Sequence, residues 1–145
     1  MSAAWYGDLR IARELVDRGV SVNAMDVNGE TALRAASQTC LDGKMVQFLL
    51  DAGADPNAKS TDNSTALMSA AYGGNALAGE KLLKAGADPR VKDADGHTAE
   101  DLACGRGDKG HAQVCDLLVA AAKKQTCTSH RASWPTLHHS LQLCW

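Results

Sequence analysis

Aromatic residues are scarce in this chain of 145 residues, which has one Phe, two Tyr and three Trp. An interior built on large rings is therefore excluded. With 25 alanines, many interior contacts must be helix backbones meeting closely over small side chains. No apolar stretch approaches the roughly 20 residues of a membrane span, and Trp5, Asp8 and Arg10 stand where a secretory apolar region would lie. A cytoplasmic or nuclear protein is expected. Lys and Arg number 15 against 17 Asp and Glu, a net charge of -2, which leaves no electrostatic footprint for nucleic acid or an anionic membrane. The five cysteines are odd in number, scattered and without a C-x-x-C pair, so neither a disulfide framework nor a four-thiolate zinc site is expected. Cys40, Cys104, Cys115, Cys127 and Cys144 read as free thiols.

What the chain does have is a period. Thr31, Thr65 and Thr98 each precede Ala and open an Ala-rich stretch, at spacings of 34 and 33 residues, and Gly19, Gly53 and Gly86 recur at the same two spacings. Self-similarity at this length marks stacked supersecondary units. Ahead of each glycine, and once more near the end, apolar or small residues fall at i, i+1, i+4 and i+5. These are Ile11, Ala12, Leu15 and Val16; Met45, Val46, Leu49 and Leu50; Ala78, Gly79, Leu82 and Leu83; and Val114, Cys115, Leu118 and Val119. Each set predicts one buried stripe on a helix, and the following glycine suits the left-handed residue that ends it. The threonines suit N-caps, Thr98 with Asp101 forming a capping-box pattern. A unit of about 33 residues cannot bury its own apolar face, so stability must come from stacked neighbours.

Asp26-Val-Asn-Gly29-Glu-Thr31, Asp93-Ala-Asp-Gly96-His-Thr98, Gly53-Ala-Asp-Pro-Asn-Ala58 and Gly86-Ala-Asp88 resemble the ankyrin repeat. The resemblance covers residues 2 to about 122 and implies an all-α solenoid of stacked helix-turn-helix units with hairpin-like turns. Four units are expected, over 2–25, 26–59, 60–92 and 93–122. The first is abbreviated. Where family members usually have Thr-Pro-Leu-His, this chain has Thr31-Ala-Leu-Arg34, Thr65-Ala-Leu-Met68 and Thr98-Ala-Glu-Asp101. Asn63 stands where the turn glycine is expected, which asparagine tolerates. Gly79 inside a helix should cost about 1 kcal/mol relative to Ala, making the third unit the weak one. Residues 123–145 contain no acid and Lys123, Lys124 and Arg131, about +3, against -5 for the region before them. On composition this basic, His- and Trp-containing tail is expected to be disordered, the competing reading being a docked helix bearing Trp134, Leu137, Leu141 and Trp145.

Motifs for chemistry are weak. Gly105-Arg-Gly107-Asp-Lys-Gly110 matches G-x-G-x-x-G, but a helix precedes it and no acid stands 20 residues on, so it reads as an insertion in an interhelix turn. His97, Cys104, His111 and Cys115 are metal-ligand types, yet His111 fills an ordinary repeat position and Cys115 a buried small-residue one. No catalytic, cofactor or metal site is expected. The resemblance implies instead a concave face, lined by turn tips and the exposed ends of the first helices, that binds a protein. By register its residues are Trp5, Tyr6, Asn28, Glu30, Gln38, Asp62, Tyr72, Asp95, His97 and Arg106. Exposed aromatics are the expected hot-spot type, and the acidic tips hint at a basic or mixed partner. The expected function is that of a monomeric adaptor. The alternatives are a stoichiometric kinase inhibitor of ankyrin type and a shortened piece of a larger ankyrin scaffold.

Overall fold

The computed structural model describes residues 2–39, 43–105, 107 and 109–129. Eight helices succeed one another among them: α1 Ser2–Tyr6, α2 Leu9–Asp17, α3 Ala32–Thr39, α4 Lys44–Asp51, α5 Ala66–Tyr72, α6 Ala76–Lys84, α7 Ala99–Cys104 and α8 Lys109–Ser129. They form four antiparallel pairs. Inner helices α1, α3, α5 and α7 pack in series, and outer helices α2, α4, α6 and α8 form a second layer against them. The fold is the all-α solenoid that the period implies.

Local chemistry starts α3, α5 and α7, and stops α2, α4 and α6, where the sequence says it should. The hydroxyls of Thr31, Thr65 and Thr98 accept the backbone N–H of Arg34, Met68 and Asp101 at 3.3, 3.4 and 3.3 Å. Asp101 returns the bond by accepting Thr98 N at 2.8 Å, which completes the capping box. Gly19, Gly53 and Gly86 take φ of 84°, 90° and 92°, the left-handed conformation that turns the chain out of α2, α4 and α6. Asn63 takes φ 59°, the one positive-φ non-glycine among the described residues.

Between units the chain makes hairpin-like tips. Asp26, Ser60 and Asp93 each donate their N–H across the tip to the carbonyl of Glu30, Ser64 and His97, at 3.0 Å in every case. Adjacent tips are stitched together by Thr61 N–H to Asn28 O at 3.2 Å and Ala94 N–H to Asp62 O at 2.9 Å. Behind the helices, the Asn23 amide donates to Gly53 O and accepts from Asp55 N, and Asn57 repeats this with Gly86 O and Asp88 N. Both asparagines are exposed, and each bonds a donor and an acceptor of the next unit's turn, so the pair ties successive turns together.

The core is a continuous seam of Ala, Leu, Val and Met. Within α5 every residue from Ala66 to Ala71 is buried, because neighbours cover both of its sides. The stripes of α4, α6 and α8 behave as expected at Met45, Val46, Leu49, Ala78, Leu82, Val114 and Leu118. The stripe of α2 does not. Ala12 is buried, but Ile11 and Leu15 are 50% and 38% exposed. The physical reason is position: α2 has a neighbour on one side only among the described residues, and a partly open apolar cavity of about 130 Å³ lies between α1, α2 and the first tip. A second difference lies at the other end. The last helix runs seven residues past the expected boundary at 122, through Ser129. The remainder of the tail, and with it the question of a docked helix, lies outside the described residues.

Two glycines of the third unit call for opposite treatment. Gly79 is buried in the middle of α6, yet an added Cβ would meet nothing within 4 Å. Gly79→Ala is expected to raise unfolding free energy by about 1 kcal/mol, read as a higher urea midpoint at unchanged slope. At Gly73 a Cβ would lie 2.6 Å from the carbonyl oxygen of Gln38, so the same substitution there forces two units apart.

Candidate partner-binding face

The first-helix ends and tips of units two to four converge on a cavity of about 240 Å³. Gln38, Asp62 and Tyr72 line it, together with Arg34, Met68, Ser69 and Leu102. Arg34 crosses between units. Its Nε donates to Ser69 Oγ at 3.1 Å, and its Nη1 lies 3.5 Å from Glu30 and 3.8 Å from Asp62. Glu30 and Asp62 thus flank a half-buried guanidinium instead of projecting freely.

Tip chemistry differs between units for a local reason. In units two and four the leading aspartate closes its own turn: Asp26 Oδ1 accepts the N–H of Asn28 and Glu30, and Asp93 Oδ1 those of Asp95 and His97. Unit three has Ser60 in that place, so Asp62 takes over, accepting from Ser60 Oγ, Ser64 Oγ and Ser64 N. The Ser60 hydrogen bond, ahead of those from Ser64 and the charge of Arg34, holds the Asp62 carboxyl below its ordinary 3.8 against the opposing effect of partial burial. The rim therefore stays anionic at neutral pH.

Of the residues expected on this face, Gln38, Asp62 and Tyr72 meet in the one cavity, with Glu30 joined through Arg34. Asn28 sits beside them at the tip, its carbonyl accepting both Thr61 N and Thr61 Oγ1. Asp95 and His97 belong to the next tip, where His97 Nδ1 lies 3.8 Å from Asp93 Oδ1. Tyr6 is 87% exposed at the end of α1 and does not line the cavity. The Trp5 side chain and Arg106 lie outside the described residues. Sequence reasoning missed Arg34, Met68 and Ser69 as lining residues. A signal existed, since Arg34 and Met68 occupy the same register, three residues after the capping threonine.

The other candidates resolve as follows. Between α7 and α8 the G-x-G-x-x-G stretch has a helix on each side and no strand among the described residues before it, unlike a dinucleotide site. His111 Nε2 lies 2.9 Å from Tyr72 O, an inter-unit structural contact. Asp93, Asp95 and His97 bring three ligand-type atoms within 4.8 Å, but Asp93 Oδ1 is committed to two backbone amides. The expectation of free thiols fails at one pair: Cys104 and Cys115 are joined in a disulfide, with Cα atoms 5.2 Å apart. Their separation of 11 residues looks arbitrary in the sequence, but the α7–α8 hairpin folds it into bonding distance.

Comparison with known proteins decides the family. A model described as ankyrin repeats in three copies matches residues 40–130, more than half of the chain, and one described as ankyrin repeats in many copies matches residues 1–50. The chain belongs to the ankyrin-repeat family. It is 35% identical over 120 residues to mouse "Inactive serine/threonine-protein kinase TEX14", across 81% of this chain and 8% of that protein. The cow protein of that name is 40% identical over 63 residues, 43% of this chain and 4% of the relative. A fowlpox virus "Putative ankyrin repeat protein FPV233" is 42% identical over 50 residues, 34% of this chain and 10% of the relative. The chain thus spans a tenth or less of the length of the curated relatives it matches. Ankyrin-repeat arrays are protein–protein interaction modules. No helix among the described residues is long and apolar enough to cross a membrane.

Proposed function

We propose that this ankyrin array is an adaptor that binds a protein partner through the face formed by its tips and inner helices, as a monomer and without catalysis, cofactor or metal. The reading is supported above all by the cavity in which Gln38 of unit two and Asp62 and Tyr72 of unit three come together on one surface. Tyr72 is 47% exposed there, and an aromatic side chain with a polar tip on a rigid helix is the residue type that most often anchors a protein interface. The kinase named in two relatives is a property of those proteins. The aligned stretches make up 8% and 4% of those relatives.

The test is capture by the immobilised full chain followed by cross-linking and mass spectrometry. Residues of the Gln38–Tyr72 face are expected in the cross-links. Gln38→Ala with Tyr72→Ala should weaken capture of the same partner about tenfold or more with helical circular dichroism unchanged. Glu80→Ala with Lys84→Ala, which removes an exposed ion pair on α6, should leave it intact. Capture that survives the first pair and is lost with the second would reject the proposed face.

A further inference from the structure

Cys104 and Cys115 occupy unusual places in the repeat. Counted from the capping threonine, Cys104 stands where the inner units have Ser37 and Ala71, both at 0% exposure. Cys115, after allowance for the insertion between α7 and α8, stands where the other outer helices have Ala12, Val46 and Gly79, all buried. In the last unit these positions are different: Cys104 is exposed and Cys115 half-buried. The inner units hold such positions by packing. The last unit holds them by a covalent bond.

We propose that Cys104 and Cys115 form a reversible thiol–disulfide site, oxidised by a low-molecular-weight disulfide, that sets how firmly α7 is held to α8. In the reduced chain the accessible Cys104 thiolate attacks one sulfur of the reagent, forming a mixed disulfide and releasing one reagent thiol. The Cys115 thiolate, held at hairpin distance, then attacks Cys104 Sγ. That closes the intramolecular bond and releases the second reagent thiol. Two electrons pass from the cysteine pair to the reagent, and the two cysteine protons end on the two thiols released. Excess reduced thiol reverses both steps.

The consequence falls on α7. It is six residues long, too short to persist by itself, and its support is the capping box, α5 and α8. Leu102 of α7 lines the cavity between units, and the Asp93–His97 tip leads directly into its N-cap. Loosening α7 from α8 therefore loosens the last part of the exposed face, whatever occupies that face.

The full wild-type chain is equilibrated with oxidised or reduced glutathione, its free thiols are trapped by alkylation, and all five cysteines are mapped by mass spectrometry. A Cys104–Cys115 linked peptide is expected in the oxidised sample and two alkylated peptides in the reduced one. Backbone hydrogen exchange over α7 should be about tenfold or more slower in the oxidised chain. Cys104→Ser with Cys115→Ser should exchange at the reduced rate in both buffers. The proposal is overturned if Cys104 or Cys115 pairs with another cysteine instead, if no linked peptide forms, or if α7 exchanges equally in both states.

Discussion

Leu67→Ala is expected to lower the unfolding free energy by about 3 to 4 kcal/mol and to break the cooperativity of the array. Leu67 is fully buried near the start of α5, the helix that α3, α6, α7 and α8 all contact. Removal of three buried carbons loses their transfer free energy and leaves a cavity that the surrounding structure fills only in part. In a solenoid, stability is a sum of unit terms and nearest-neighbour terms, so a lesion in the third unit weakens its coupling to the second and to the fourth. Urea unfolding followed by circular dichroism, with hydrogen exchange read helix by helix, should show α7 and α8 opening separately from α3 and α4. The control is Leu77→Ala on α6. Leu77 is 50% exposed, and its truncation should change stability by no more than about 0.5 kcal/mol. Equal effects at the two leucines would contradict the packing described here.

That contrast also marks what periodicity reveals and what it hides. A repeat tells which register positions face a neighbour, which is why the threonine caps, the left-handed glycines and the stripes of α4, α6 and α8 were legible in advance. It cannot tell whether a neighbour is there. Ile11 and Leu15 carry the stripe pattern and are nonetheless exposed, because burial is a property of the adjoining unit and not of the helix itself. The cysteines show the same blindness at the opposite end: Cys115 reads as one more small interior residue until α7 brings Cys104 across to it. Arg34 departs from the family's usual histidine, but its role depends on Ser69 and Asp62 of the next unit coming within reach. Register could place the face. The links across it, between residues of different units and 28 to 35 apart in sequence, had to be read from the fold.

Asn75→Ala should destabilise the chain by about 2 to 4 kcal/mol, the largest effect expected of any polar substitution here. Asn75 is 2% exposed and serves two units at once. Its Oδ1 accepts Ala78 N at 3.1 Å as the N-cap of α6, and its Nδ2 donates to Ser37 O of α3 at 3.1 Å. Loss of the cap accounts for about 1 kcal/mol. The remainder comes from leaving the Ser37 carbonyl buried without that donor, a cost of about 1 to 3 kcal/mol. Asn75→Ser separates the two contributions, since a serine caps well but cannot reach α3, and should recover only the first. Asn75→His tests the other arm. His111 stands at the equivalent place in the last unit, where its ring nitrogen meets the Tyr72 carbonyl at 2.9 Å. A histidine at position 75 should therefore restore part of the inter-unit bond and exceed the alanine variant in stability, measured by urea midpoint at pH 7. If alanine, serine and histidine at this position unfolded at the same midpoint, the bridge from α6 to α3 would contribute nothing, and the cohesion of units two and three would rest on apolar packing alone.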